Sequence, residues 1–192
     1  MLPLTPSQTV GPFFHLAAPV RGRESLITDA TPGPRIVIQG SVRDGNGDPV
    51  PDALIEIWQG SVIGLYNHPE DPRSPRPDPA FDGFGRVATD ADGCFAIETI
   101  KPGPVPGPNA RPQAPHLVVG VFARGLLARL VTRIYFEDEP SNAQDAVLAL
   151  VPADRRSTLV ARQGPESAGS PIGSYCFPIV LQGPGETVFF DV

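Results

Sequence analysis

The side chains able to ligate a metal or move a proton are few: three histidines and three tyrosines in 192 residues. His15 lies near the start, His68 among prolines, and His116 at the mouth of an apolar run. A strand puts alternate residues on one face, so two imidazoles sharing a metal there need His-x-His spacing. No such pair occurs, nor a His-Glu-x-x-His, a Cys-x-x-Cys or an aspartate-rich cluster. Spacing alone therefore argues against a metal site in this chain, and each histidine reads as a hydrogen-bonded structural residue. Nucleophilic catalysis lacks its signatures too, because there is no Gly-x-Ser-x-Gly and neither Cys94 nor Cys176 stands beside a histidine. Both cysteines read as buried thiols. Asp90-Ala-Asp-Gly93 has its glycine fourth, not sixth, with no glutamate at the twelfth place, so it is a turn and not a calcium loop.

Two charged groupings remain. Glu137-Asp138-Glu139 reads as a solvated strand end that blocks unwanted pairing. Arg129 and Arg133, four apart on a strand, share a face and could receive an anion. An ion pair with the acidic run or with another subunit is the plainer reading of that spacing.

These groups must be positioned by short strands. Residues 35–43 and 53–59 alternate with a period of two and flank turn residues at 44–48, so they read as neighbouring antiparallel strands. Residues 86–89 and 94–99 flank the Asp90–Gly93 turn as a second hairpin. Leu117–Ala123 and Leu127–Phe136 are apolar strand runs joined by Arg124-Gly125. Short helical turns are expected at 141–147 and 152–158, and closing strands at 158–162, 174–181 and 187–192. Between these lie proline-rich loops at 60–83 and 101–115, long enough to suggest function or partner contact. Residues 1–34 read as an arm, either disordered or docked on a neighbour, and 35–192 as one domain. The fold class is all-β, an antiparallel β-sandwich.

Composition supports this. Proline (25) and glycine (20) together make about 23% of the chain, close to double the roughly 12% of average usage. Hydrophobic residues at 41% and charged residues at 19% oppose disorder, and interior proline opposes a helix bundle. A net charge of -6 lacks the basic footprint that nucleic acid needs. No signal peptide and no 18-residue apolar span is visible, so neither export nor a membrane is expected, and the protein is read as cytoplasmic.

Several segments, taken in order, resemble one family. They are Thr5-Pro-Ser-Gln-Thr-Val-Gly-Pro12, Asp44-Gly-x-Gly-x-Pro49, Glu56-x-Trp58-Gln59 and Phe81-Asp-Gly-Phe-Gly-Arg86, followed by Thr99-Ile-Lys-Pro-Gly103, Ala114-Pro-His116, Phe122-Ala-Arg-Gly125, Thr132-Arg-x-Tyr-Phe136 and Gly185-Glu-Thr-Val-Phe-Phe190. Together they look like intradiol ring-cleavage dioxygenases, and the later ones look like the noncatalytic α subunit of the hetero-oligomeric members. The resemblance implies a β-sandwich, in agreement with the pattern above. It implies an Fe(III) reaction that inserts both atoms of O₂ between the two hydroxylated carbons of a catechol. It further implies that two tyrosines and two histidines hold the iron, at the positions of Tyr66, Val105, His116 and Val118 here. Two of these four are aliphatic, so the resemblance implies no iron in this chain and an iron-bearing β subunit as partner. It also implies that Thr9, Gly11 and Pro12 of the arm line that partner's substrate pocket. Arg133 would meet the carboxylate of protocatechuate there. Two other readings stand beside it. One is a self-sufficient dioxygenase using Tyr66, His116 and His68; the other is a transthyretin-like interaction module without enzymatic function.

Overall fold

The computed structural model describes residues 9–11, 24–73, 80–107, 111–164 and 172–191. The chain forms β1 (Arg35–Arg43), β2 (Leu54–Trp58), β3 (Phe84–Ala88), β4 (Cys94–Ile100), β5 (Val105–Pro106) and β6 (Pro112–Gln113). It continues as β7 (His116–Phe122), β8 (Leu130–Phe136), β9 (Val160–Gln163), β10 (Gly173–Cys176) and β11 (Ile179–Val180). Three short 3₁₀ turns, Pro140–Gln144, Leu148–Leu150 and Arg156–Leu159, fill the β8–β9 connection and account for the helical turns expected there.

The expected all-β sandwich is present, and its two layers are joined along one side. One layer is β4-β1-β10 with β11, and the other is β3-β2-β7-β8. β9 pairs with both, antiparallel to β10 and parallel to β8, so the sheet is nearly closed and opens between β3 and β4. Alternate residues of both layers point inward: Ile38, Ile55, Ile57, Ile97, Leu117, Val119, Val121 and Ile134 are all 0% exposed. Truncating any one of them to alanine costs about 2–5 kcal/mol through lost transfer energy and the cavity left behind.

Two expected pairings differ. β1 and β2 are not neighbours: β1 pairs with β4, and β2 with β3 and β7. The 44–48 turn does form, with Gly47 N donating to Asp44 O at 3.1 Å, but the chain then crosses to the other layer. Likewise Gly93 N donates to Asp90 O at 3.0 Å, yet β3 and β4 lie in different layers. A tight turn fixes local direction, whereas burying two apolar faces decides which strand it leads to. The cysteines also differ from expectation, since Cys94 and Cys176 are free and exposed. Cys94 opens β4 on its solvent-facing parity, with Phe95 and Ile97 occupying the inward one.

Residues 24–34 lie along the sandwich. Leu26 N donates to Glu98 O at 2.8 Å, and the Leu26 side chain joins the core. Lys101, the only lysine, pairs with Asp138 at 2.7 Å and lies 5.2 Å from the Phe136 ring centre.

Candidate functional site

The site lies on the outer side of the β2-β7-β8 layer. Residues directly opposite across a ladder share a face. Trp58 faces Val118, Val118 faces Arg133, and His116 faces Tyr135, which gives an outward row across three strands. The neighbouring positions Ile57, Leu117, Val119 and Ile134 point into the core and hold that row rigid.

Two loops cover the row. The loop after β2 turns back at Ser61–Leu65, where Ser61 N donates to Leu65 O at 2.8 Å. The loop after β4 meets it through Gly103 N, which donates to Ser61 O at 3.0 Å. Gly64 has φ +73° and lies so close to Pro104 that a Cβ would collide with the Pro104 carbonyl oxygen. Buried Gln59 fastens both loops at their roots, because its Nε2 donates to Ile100 O at 3.0 Å and its Oε1 accepts from Thr99 Oγ1 at 2.8 Å.

Tyr66 is placed by the first loop, with its ring stacked on Trp58 at 5.8 Å and an interplanar angle of 9°. Its backbone N–H donates to Asp71 Oδ2 at 3.0 Å. Asp71 in turn accepts two hydrogen bonds from the Arg73 guanidinium at 2.9 and 2.6 Å. The hydrogen bond from Arg73 is the main cause holding the Asp71 carboxyl down at about 2. Burial raises the Tyr66 phenol above its ordinary value, against the lowering pull of Arg133 and Arg73. His68 packs edge-on against Trp58, with centroids 6.2 Å apart. Trp58, Tyr66, His68, Arg73 and Pro106 line a cleft of about 630 Å³.

His116 is 4% exposed, and its Nδ1 lies 2.7 Å from the Ala114 carbonyl oxygen. A carbonyl only accepts, so Nδ1 carries the proton and Nε2 is left with its lone pair. Burial, reinforced by the positive charge of Arg133, lowers the imidazole to about 4, so it is neutral at physiological pH. Val105 is 4% exposed, packs against Gly60 and faces Gln113 in the β5–β6 pair. Val118 is half-buried between Trp58 and Arg133.

Val118 stands directly opposite Arg133, His116 lies two residues before Val118 on the same strand, and Val105 pairs with Gln113, which binds Arg133; Tyr66 lines the cleft on the Trp58 side. Arg133 Nη1 donates to Gln113 Oε1 at 2.6 Å and to the Tyr135 hydroxyl at 3.3 Å, and its guanidinium carbon lies 5.9 Å from the Phe190 ring centre. No carboxylate among the described residues pairs with it. Arg129 does form an ion pair, but with Glu56 at 3.7 Å; Asp138 of the acidic run pairs with Lys101 instead.

The arm residues sit elsewhere. Thr9 Oγ1 accepts from Gly125 N at 2.9 Å, at the tip of the β7–β8 hairpin, and Gly11 is exposed. Pro12 lies outside the described residues. Three rungs, from Val121↔Leu130 to Val118↔Arg133, separate the tip end of the ladder from Arg133, roughly 10 Å at about 3.3 Å per residue. The guanidinium adjoining Thr9's anchor is Arg124, exposed and only loosely paired with Asp52 at 3.4 Å. The sequence pointed to Arg124-Gly125 as a turn and gave no sign of this contact. Buried Asp145, which orders the far side of the site, was also not legible. Its carboxylate accepts from Tyr135 Oη (3.1 Å), Ala114 N (2.8 Å), Val147 N (2.9 Å) and Leu148 N (2.7 Å).

Known proteins place this architecture. A family model described as Dioxygenase (Dioxygenase_C) matches residues 9–183. The chain is 42% identical to the protocatechuate 3,4-dioxygenase alpha chain of Burkholderia cepacia, covering 98% of this chain and 97% of that one. It is 36% identical to the protocatechuate 3,4-dioxygenase beta chain of the same organism, covering 94% of this chain and 77% of that one. Among solved structures it is similar to the dioxygenase domain of a dioxygenase carbohydrate-binding protein fusion from Streptomyces sp. SirexAA-E. That match has TM-score 0.64, 30% identity, and covers 94% of this chain and 99% of that one.

Proposed function

The chain belongs to the intradiol ring-cleavage dioxygenases, a family that uses ferric iron, and on that premise we propose that it is a noncatalytic α chain. It works in the cytoplasm beside an iron-bearing β chain in a protocatechuate 3,4-dioxygenase. The assembly cleaves 3,4-dihydroxybenzoate with O₂ to 3-carboxy-cis,cis-muconate.

One observation carries the reading. At the four positions that the family resemblance assigns to the iron, the chain carries one phenol and one imidazole, Tyr66 and His116, and two aliphatic groups, Val105 and Val118; the neighbouring Tyr135 hydroxyl is engaged by Arg133 and Asp145. Valine has no lone pair to give, and ferric iron, a hard trivalent ion, favours anionic oxygen donors. The donor set therefore does not fit the family's metal, and no step of the reaction is assigned to this pocket. Tyr66, Val105, His116 and Val118 are the vestiges of a ligand set, with Fe(III) held in the partner.

The arm, with Thr9, Gly11 and Pro12, docks on the partner and walls its substrate pocket, while residues 35–192 form the body of the sandwich. For the substrate carboxylate the sequence offers Arg133. The contact between Thr9 and Gly125 favours Arg124, which stands on the arm's side of the molecule and is not enclosed by its own chain.

The test is to prepare the chain alone and with its β partner, and to measure iron content, visible phenolate-to-iron absorption and catechol turnover. The chain alone should be colourless, iron-free and inactive, and the pair should carry one iron per αβ unit. A red, stoichiometrically ferric preparation of the isolated chain sinks the proposal.

A further inference from the structure

We propose that Arg133 is the resident cation on the outer face of the β2-β7-β8 layer beside Val118: its guanidinium takes the electrostatic place of a bound metal and keeps one out. The inference rests on the reading that Tyr66, Val105, His116 and Val118 mark former ligand positions.

Position is the first argument. Arg133 faces Val118 directly across the β7–β8 ladder, so their Cβ atoms are about 5 Å apart on the same face. The second argument is how the group is held. Gln113, which accepts from Nη1, is the residue paired with Val105, so one aliphatic position lies opposite the guanidinium and the other opposite its anchor. Tyr135 accepts from Arg133 and donates to Asp145, which is 1% exposed. A buried relay therefore links the positive group to a negative one set back behind the site. The third argument is chemical. A lysine or histidine facing an incoming cation can shed its proton, but a guanidinium cannot, because arginine stays charged in proteins. Among the described residues no carboxylate pairs with Arg133 directly, so its charge is not cancelled at close range where a metal would approach.

The region then disfavours iron twice over: two of the four positions offer no donor, and a fixed positive charge stands beside them. Restoring the donors alone should not restore the metal. Two variants of the full chain test this, Val105→Tyr/Val118→His and the same pair with Arg133→Gln. Glutamine retains an N–H for Gln113 and removes the charge. Fe(III) affinity is measured by competition dialysis against nitrilotriacetate, with the phenolate-to-iron band as a second readout. The triple variant should bind one Fe(III) at least about 100-fold more tightly than the double, given the strength of like-charge contacts at this range. Equal affinity in the two overturns the role of Arg133 and leaves the ligand reading intact. Failure of both to bind, with intact near-UV circular dichroism, overturns the ligand reading on which the inference rests. If the multiple variants do not fold, His68→Ala and His68→Ala/Arg133→Gln are compared by Cu(II) quenching of Trp58 fluorescence. Quenching at a concentration at least about 10-fold lower without the guanidinium supports the proposal, and equal quenching overturns it.

Discussion

The Tyr66 ring lies parallel to the Trp58 indole, 5.8 Å away and 9° from coplanar, and Trp58 is the only tryptophan in the chain. Its emission therefore reports on whether the loop after β2 is seated.

That loop is held by Asp71, whose carboxyl is held down at about 2 chiefly by the hydrogen bond from Arg73. A carboxyl lowered on folding contributes stability that is present above its unfolded pKa of about 3.9 and is lost as pH falls through the folded value. Trp58 emission should stay constant from pH 8 to 4 and change between pH 4 and 2. Asp71→Asn should show the altered emission already at pH 7, with no transition in that acid window. A fluorescence titration of both proteins decides it.

Lys101 joins three groups: Asp138 at 2.7 Å and the rings of Phe136 and Tyr175 at 5.2 and 5.8 Å. Burial is the largest single influence and lowers its ammonium, but the hydrogen bonds and negative charge of Asp138 and Tyr175 together outweigh burial and raise it. Lys101→Ala should cost about 1–2 kcal/mol, from one partly buried pair and its contacts with the rings. Urea unfolding at pH 7 measures it, and Lys101→Arg should recover most of the loss.

Asp145 caps three backbone N–H groups and accepts from the Tyr135 hydroxyl, with all but the Val147 contact in the interior. Asp145→Ala leaves those donors without a partner and should cost about 3 kcal/mol or more. Because Ala114 is among them and its carbonyl orients His116, amide hydrogen exchange should rise at 114–116 beyond the global effect.

The two arginine candidates separate by substrate. In the αβ enzyme, Arg124→Ala should raise KM for protocatechuate about 10-fold, the size of one partly solvated charge-assisted contact. Catechol lacking the carboxylate should be unaffected, and Arg133→Gln should leave both KM values within about twofold. Steady-state kinetics with the two substrates reads this directly.

Much of the frame was legible because a strand with one buried face writes itself in alternation. Ile36, Ile38 and Val42 marked β1 to the residue, and Arg124-Gly125 marked the β7–β8 turn. The partners of the strands on either side of two other turns were not legible. The Asp44–Asp48 and Asp90–Gly93 turns look like hairpins locally, and nothing in a turn's own residues says that the chain is about to change layers. The site was legible only in part for the same reason. Tyr66 and His116 stand in recognisable segments, but the holders of Arg133 come from three separate stretches, at Gln113, Tyr135 and Phe190. Asp145, reaching Ala114 from 31 positions away, belongs to no periodic pattern at all.

The sheet that closes through β9 keeps its apolar residues inside and presents the Trp58–Val118–Arg133 row outside. Inner and outer faces of the same three strands are thus read by different neighbours. Val118 can therefore change without disturbing Ile57, Leu117 or Val119.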